Sequence, residues 1–266
     1  MSKYKQKKQE LKHDKFRDTA MNYLDRLGDA LAGKGRAILY GLGGVIVVAI
    51  IIVGVVKWSN RKSDEARQAL GRAIDITTAS ISTTPAPTAA ALTFANEQDR
   101  AKRSIDEFEK VAAKYGDPYR AEAHYFIATN RLVLDRPKGM TELANVGNTA
   151  PPEIAALAKF ALGQANESDG KLDEALKLYA DVIKINSPTV TPETANLRVA
   201  KVYEKQGKKK EAADLLFNIV DASRKAKGAD DKPLPVSAAA REAATQLQKL
   251  DPDRYAQLPP ESPTLG

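Results

Sequence analysis

Few residues of this sequence are of types that carry out chemistry. It contains two histidines and no cysteine. His13 lies in a lysine-rich N-terminal region and His124 in the segment AEAHYF, so neither has a second histidine or a thiolate nearby to complete a zinc site. With a single histidine beyond the N-terminal region, a Ser-His-Asp arrangement cannot be told from chance. These observations predict a protein that is not an enzyme and has no cofactor or metal site.

Two short segments resemble ligand sites at first sight. Gly41–Gly44 is rich in glycine, but an apolar segment surrounds it and no strand precedes it, so it does not match a phosphate-binding loop. Close helix packing through Ala37 and Gly41 and ordinary tolerance of glycine are the two readings that stay open there. Asp230 and Asp231 are adjacent acids without further ligands, which is weak evidence for calcium.

The most prominent element is the segment Ala37–Val56, AILYGLGGVIVVAIIIVGVV, which carries no charge. A helix of this length covers about 30 Å, the thickness of the hydrocarbon core of a bilayer. Tyr40 and Trp58 lie near its two ends, where aromatic rings favour the headgroup layer. The segment therefore predicts a transmembrane helix over 37–57, and a buried core helix is the alternative.

The charge is concentrated before this helix. Residues 1–36 contain ten Lys or Arg and five Asp or Glu, whereas the whole chain has a net charge of +7. An excess located there favours anionic headgroups over nucleic acid as the partner. We expect 1–36 to be a cytoplasmic tail, with the C-terminal part on the opposite side of the membrane. Apolar residues from Phe16 to Leu31 have helical spacing, typical of a helix that lies on the membrane, meets a partner helix or is simply solvated.

The sequence after the span predicts an all-α domain over 58–250. Apolar residues recur at intervals of three and four, and turn signals such as Gly116-Asp117-Pro118 and Gly170 separate the periodic segments. Residues 79–96 are rich in Ser, Thr, Pro and Ala and predict a flexible loop. Residues 251–266 are rich in proline and predict a disordered tail.

A pattern within this domain repeats with an offset of 37 residues. The first copy is Leu162-Gly163, Gly170, Glu174-Ala175 and Tyr179, and the second is Val199-Ala200, Gly207, Glu211-Ala212 and Leu216. The small residue allows a second helix to pack closely, the glycine makes the turn, and the alanine marks the tightest crossing. The pattern resembles the tetratricopeptide repeat, and 97–146 resembles degenerate copies of it. The resemblance implies a stack of antiparallel helix pairs, a right-handed α-solenoid, and independent helical hairpins are the alternative.

The order of a basic tail, one span and degenerate repeats resembles bacterial periplasmic proteins of the YfgM type, over residues 35–225. That family is described as ancillary to the Sec translocon and linked to periplasmic chaperones. The resemblance implies a protein-interaction scaffold anchored in the bacterial inner membrane, with its repeat domain in the periplasm, that binds partner proteins or peptides and no small-molecule substrate. A scaffold for envelope assembly or division that acts by self-association, and an enzyme framed by the repeats, are the alternatives.

The repeat register predicts which residues form the binding groove. In each first helix, the residue three before the small position and the residue one after it turn away from the second helix. The candidates are Tyr125, Thr129, Phe160, Gln164, Leu197 and Lys201. Each unit would offer one large apolar residue and one polar residue to a peptide. The competing interpretation is that Tyr125, Phe160 and Leu197 belong to the core.

Overall fold

The computed structural model describes residues 62–82 and 92–260. Almost all of them belong to one compact unit, which begins at Asp64. No helix within these two ranges is long and apolar enough to cross a membrane. The basic region 1–36 and the predicted span 37–57 lie outside the described residues.

Helices make up most of the described residues. The first, α1, covers 62–77. The others are α2 (Glu97–Lys114), α3 (Tyr119–Leu134), α4 (Arg136–Thr149), α5 (Pro152–Ser168), α6 (Leu172–Ile185), α7 (Pro192–Lys205), α8 (Lys209–Lys225), α9 (Ala238–Leu250) and the short α10 (Pro252–Tyr255). Two very short strands, β1 (Ser80–Ile81) and β2 (Thr93–Phe94), lie between α1 and α2.

The helices form a stack of antiparallel pairs. At one end of the α1–α2 pair, Glu65 lies 3.6 Å from Lys114, and at the other the Thr77 hydroxyl donates a 3.0 Å hydrogen bond to that of Ser104. Each helix from α2 to α9 contacts the next, and the first helices of neighbouring pairs also touch, α3 against α5 and α7 against α9. This arrangement is a tetratricopeptide-like stack, as the sequence pattern predicts.

Local sequence signals start and end these helices. The side chains of Asn96, Thr191 and Ser237 each accept a hydrogen bond from a backbone N–H in the first turn of α2, α7 and α9. The turns from α5 to α6 and from α7 to α8 contain Gly170 and Gly207, with φ of 74° and 75°. Glycine adopts this left-handed conformation without strain. The same backbone requirement therefore explains why a glycine recurs at both turns, 37 residues apart.

The core confirms the repeat register at its tightest point. Ala175 and Tyr179 on α6 are fully buried, and so are Ala212 and Leu216 at the equivalent places on α8. A Cβ atom on Gly163 would lie 2.7 Å from Cε1 of Tyr179. The missing side chain of Gly163 therefore makes room for the tyrosine ring.

The loop and the tail differ from their predictions. Within the predicted loop 79–96, β1 and β2 pair in parallel, and Arg100 donates a 3.1 Å hydrogen bond to the Ala79 carbonyl. Two-residue strands are too short to show alternation, so the sequence pattern misses them.

The prediction of a disordered tail over 251–266 is wrong for residues 251–260. Asp251 caps α10 by accepting a hydrogen bond from the Arg254 backbone N–H, and Arg254 forms an ion pair with Asp214 on α8. Leu258 is buried in the same core cluster as Leu247. These contacts order a segment whose composition alone favours disorder, and 261–266 lie outside the described residues.

Candidate functional site

The first helices of successive pairs, α1, α3, α5, α7 and α9, form a surface that we call the first-helix face. On α3 its position follows from the two flanking core clusters. Phe126 packs against the cluster of α1 and α2, and Tyr125 against the cluster of α4 and α5. Glu122 and Thr129 lie on the same helical stripe as these two rings. The side chains of Glu122 and Thr129 therefore lie on the surface of α3 between α1 and α5. Both are partly exposed.

The α3 part of this face combines aromatic and polar groups. Tyr125 is partly buried and packs edge-to-face on Phe126, with ring centroids 5.2 Å apart. The Thr129 hydroxyl donates a 3.0 Å hydrogen bond to the Phe126 carbonyl. Burial raises the pKa of Glu122, and it also raises the pKa of Tyr125. Within residues 62–82 and 92–260, no ion pair to Glu122 is present.

The next first helix, α5, contributes Phe160 and Gln164. Phe160 is partly buried, and its ring packs on Tyr179 with centroids 5.6 Å apart. Gln164, one turn further on, is exposed. Phe160 therefore supports the core with one side and keeps part of its surface available, while Gln164 is free to contact a partner.

The structure separates the two candidates on α7. Leu197 is only 4% exposed and belongs to the core cluster that contains Ala200 and Leu216. Lys201 forms an ion pair with Glu242 on α9. The core interpretation therefore holds for Leu197, and the charge of Lys201 is already compensated by the neighbouring helix. The available part of the six-residue set is on α3 and α5.

A buried carboxylate links three helices behind this face. Glu167, at the end of α5, has a side chain only 3% exposed. One of its oxygens, Oε2, accepts hydrogen bonds from the Tyr179 hydroxyl at 2.9 Å and from Arg198 at 2.6 Å, and the other accepts one from Lys205 at 2.7 Å. We call these four residues the Glu167 cluster. It joins α5 and α6 to α7, and therefore one helix pair to the next.

Charge compensation keeps Glu167 ionised. Burial opposes the charged form, but hydrogen bonds from Lys205 and Tyr179 and the charge of Arg198 outweigh it and hold the pKa of Glu167 below its usual range. Burial raises the pKa of Tyr179, so its hydroxyl keeps the proton that it donates. These contacts connect the pair α5–α6 to the pair α7–α8.

The sequence predictions did not include the Glu167 cluster. A signal was present: Arg198 and Lys205 are seven residues apart and therefore lie on the same face of α7. Their partner is 31 and 38 residues away in sequence, at a place that only the rotation between helix pairs determines.

A cleft of about 430 Å³ opens on the other side of α3, between α2 and α4. His124 lines it and is exposed. Arg131 lies at 3.7 Å from Glu109 and 3.5 Å from Glu142, so one cation lies between two carboxylates in this cleft. In the described part of the chain, no group of three or more His, Asp or Glu residues is placed to hold a metal ion.

The adjacent acids of the loop between α8 and α9 are paired with lysines. Asp231 lies 3.0 Å from Lys227, and Asp230 lies 3.1 Å from Lys232. The hydrogen bond from the Lys232 side chain is the main cause that lowers the pKa of Asp230. This geometry gives the calcium interpretation no support.

Comparison with known proteins gives matches among solved structures. No protein-family model and no curated protein matches the chain. A crystal structure of a Podosopora anserina kinesin light chain protein with nearly identical TPR-like repeats is similar to it, as is that of a single-substitution variant of the same protein. Each has 17% identity and a TM-score of 0.44, over 60% of this chain and 82% of the other.

Proposed function

We propose that this chain is a membrane-anchored scaffold whose first-helix face binds partner proteins or peptides. The observation that carries the proposal is the α3–α5 part of the face, where Tyr125, Thr129, Phe160 and Gln164 keep exposed surface on adjacent helices. Stacked helix pairs form extended surfaces of this kind, and apolar anchors beside polar groups suit a peptide segment.

The sequence of the N-terminal region supports a location for this scaffold. The uncharged segment Ala37–Val56 has the length of a membrane span, and the basic residues of 1–36 favour a cytoplasmic N-terminus. Together with the resemblance to the YfgM type, they favour a repeat domain in the periplasm that assists the transfer of proteins between translocon and chaperones. Anchoring would raise the effective concentration of the face near partners in the membrane.

Crosslinking in intact cells tests the scaffold. A photo-crosslinking amino acid at Gln164 would report on the first-helix face, and the same amino acid at Lys177, exposed on α6, is the matched control. We expect adducts with translocon or chaperone components at Gln164 and far fewer at Lys177. Adducts with a second copy of this chain alone would favour the self-associating envelope scaffold. Equal or no adducts at both positions would contradict a binding role for this face.

Topology has its own test. Single cysteines introduced by Ser2→Cys and Ser262→Cys can be labelled in intact cells with a thiol reagent that does not cross the inner membrane. We expect labelling at position 262 and none at position 2. The reverse pattern would show that the repeat domain lies in the cytoplasm.

A further inference from the structure

We propose that the α3 part of the first-helix face binds a basic segment: a Lys or Arg side chain of an extended partner segment pairs with Glu122, and an adjacent apolar side chain packs on Tyr125. This inference rests on the proposed scaffold function and adds the chemical class of its partner.

The uncompensated charge of Glu122 is the first observation behind it. Glu122 is partly buried, and within the described ranges no Lys, Arg or His lies at ion-pair distance from its carboxylate. Two other carboxylates beside the first helices are paired: Glu167 with Arg198 and Lys205, and Glu242 with Lys201. Partial burial of a charge without a partner costs free energy, and a cation supplied from outside would recover it.

The surroundings of Glu122 are the second observation. Glu122 lies in the first turn of α3, one turn before Tyr125. The two core clusters that flank α3 lie on either side of this helical stripe. A guanidinium that pairs with this carboxylate is therefore within reach of the tyrosine ring, where a cation–π contact adds to the attraction. Tyr125 and Thr129 then offer an apolar surface and a hydroxyl to the residues that follow in the segment.

At the α7 end of the face, two cations near the predicted groove are already paired. Arg198 and Lys201, both on α7, have the carboxylate partners Glu167 on α5 and Glu242 on α9. An acidic segment therefore finds no free cation at these two positions, and a basic segment finds the free carboxylate of Glu122 at the α3 end.

Three synthetic peptides test this preference directly. Fluorescein-labelled dodecapeptides of glycine and serine would carry one central Leu-Arg-Leu, Leu-Gln-Leu or Leu-Glu-Leu, and their binding to the full chain in detergent solution would be followed by anisotropy. We expect the arginine peptide to bind at least fivefold more tightly than the glutamine peptide. The advantage should shrink as salt is raised, because a partly exposed ion pair is screened. The acidic peptide should bind most weakly.

Two matched variants assign the preference to one carboxylate. Glu122→Gln keeps the shape of the side chain and should remove the arginine advantage, whereas Glu174→Gln, on an exposed position of α6, should leave it unchanged.

Thermal melting of the Glu122→Gln variant is an independent test. Because burial disfavours the charged form of Glu122, the Glu122→Gln variant should melt at a higher temperature than the parent chain. If Glu122 had a purely structural role, its substitution would lower the melting temperature.

Several results would overturn the basic-segment inference: an arginine advantage that persists in Glu122→Gln, an equal loss in Glu174→Gln, a lower melting temperature for Glu122→Gln, or no binding of any peptide. Equal binding of all three peptides, with partner adducts at Gln164 in cells, would reject the charge preference and leave the scaffold in place. Loss of the scaffold function itself would show only in the cellular crosslinks.

Discussion

Removal of the Glu167 carboxylate should weaken the connection between neighbouring helix pairs. The Glu167→Ala variant leaves Arg198, Lys205 and the Tyr179 hydroxyl without their shared acceptor. Breaking a buried ion pair by removing one partner costs about 3–5 kcal/mol, because a charge is left uncompensated. The Arg198 side chain is 24% exposed and that of Lys205 is 52% exposed, so the lysine can recover hydration. We therefore expect a loss of about 3 kcal/mol, at the lower end of that range.

Thermal unfolding followed by circular dichroism measures this loss. In a domain of this size, a loss of about 3 kcal/mol corresponds to a melting temperature lower by roughly 6–12 °C. Glu174→Ala, on an exposed position of α6, is the control and should change stability by less than about 0.5 kcal/mol.

A double variant separates lost charge pairing from lost packing. Adding Arg198→Met to Glu167→Ala removes one cation that the first substitution leaves uncompensated, so the two changes together should cost less than the sum of each alone. Strictly additive losses, or a Glu167→Ala melting temperature equal to that of Glu174→Ala, would refute the assignment of the cluster as a connection between helix pairs.

Three further predictions follow from burial and charge. Ala175→Leu should overpack the fully buried crossing of α5 and α6 and cost about 1–3 kcal/mol, whereas Lys177→Leu on the exposed side of α6 should be nearly neutral by the same melting assay. Leu197→Ala should cost about 2–5 kcal/mol because its side chain lies in the core, and Gln164→Ala should change the free energy of unfolding by less than about 0.5 kcal/mol. The pKa of Glu167 is lowered by folding, so its contribution is present above its usual pKa and is lost as pH falls through the folded value; chemical unfolding at a series of pH values should show this acid loss in the parent chain and less of it in Glu167→Ala.

The sequence predicts the packing within one helix pair well, because that packing follows from the spacing of residues along the two helices and their turn. Gly163, Ala175 and Tyr179 come together because a turn of fixed length joins two helices with helical periodicity. The same logic fails between pairs. Whether Leu197 faces a groove or the core depends on the rotation of α7 against α8 and α9, and neither periodicity nor spacing specifies that rotation.

Composition misled the prediction in another way at the C-terminal segment. A proline-rich stretch predicts disorder, yet Arg254 and Leu258 find partners on helices that precede them by tens of residues. In helix α4, close packing explains a residue that intrinsic helix propensity disfavours. Gly139 lowers its intrinsic helix propensity, but a Cβ there would lie 2.6 Å from the Leu132 backbone nitrogen, so the glycine allows the close approach to α3.

Helix α9 has a consequence for how an array of this kind can change in length. It occupies the place of a first helix against α7 and α8, but the four residues of α10 and Leu258 cover the apolar surface where a full second helix would pack. Because each pair contacts mainly its neighbours, a duplicated 37-residue unit inserted ahead of α9 would meet α9 through the same contacts as the pair that it copies. Gene duplication could thus extend the first-helix face in steps of one pair without redesign of the α9 end.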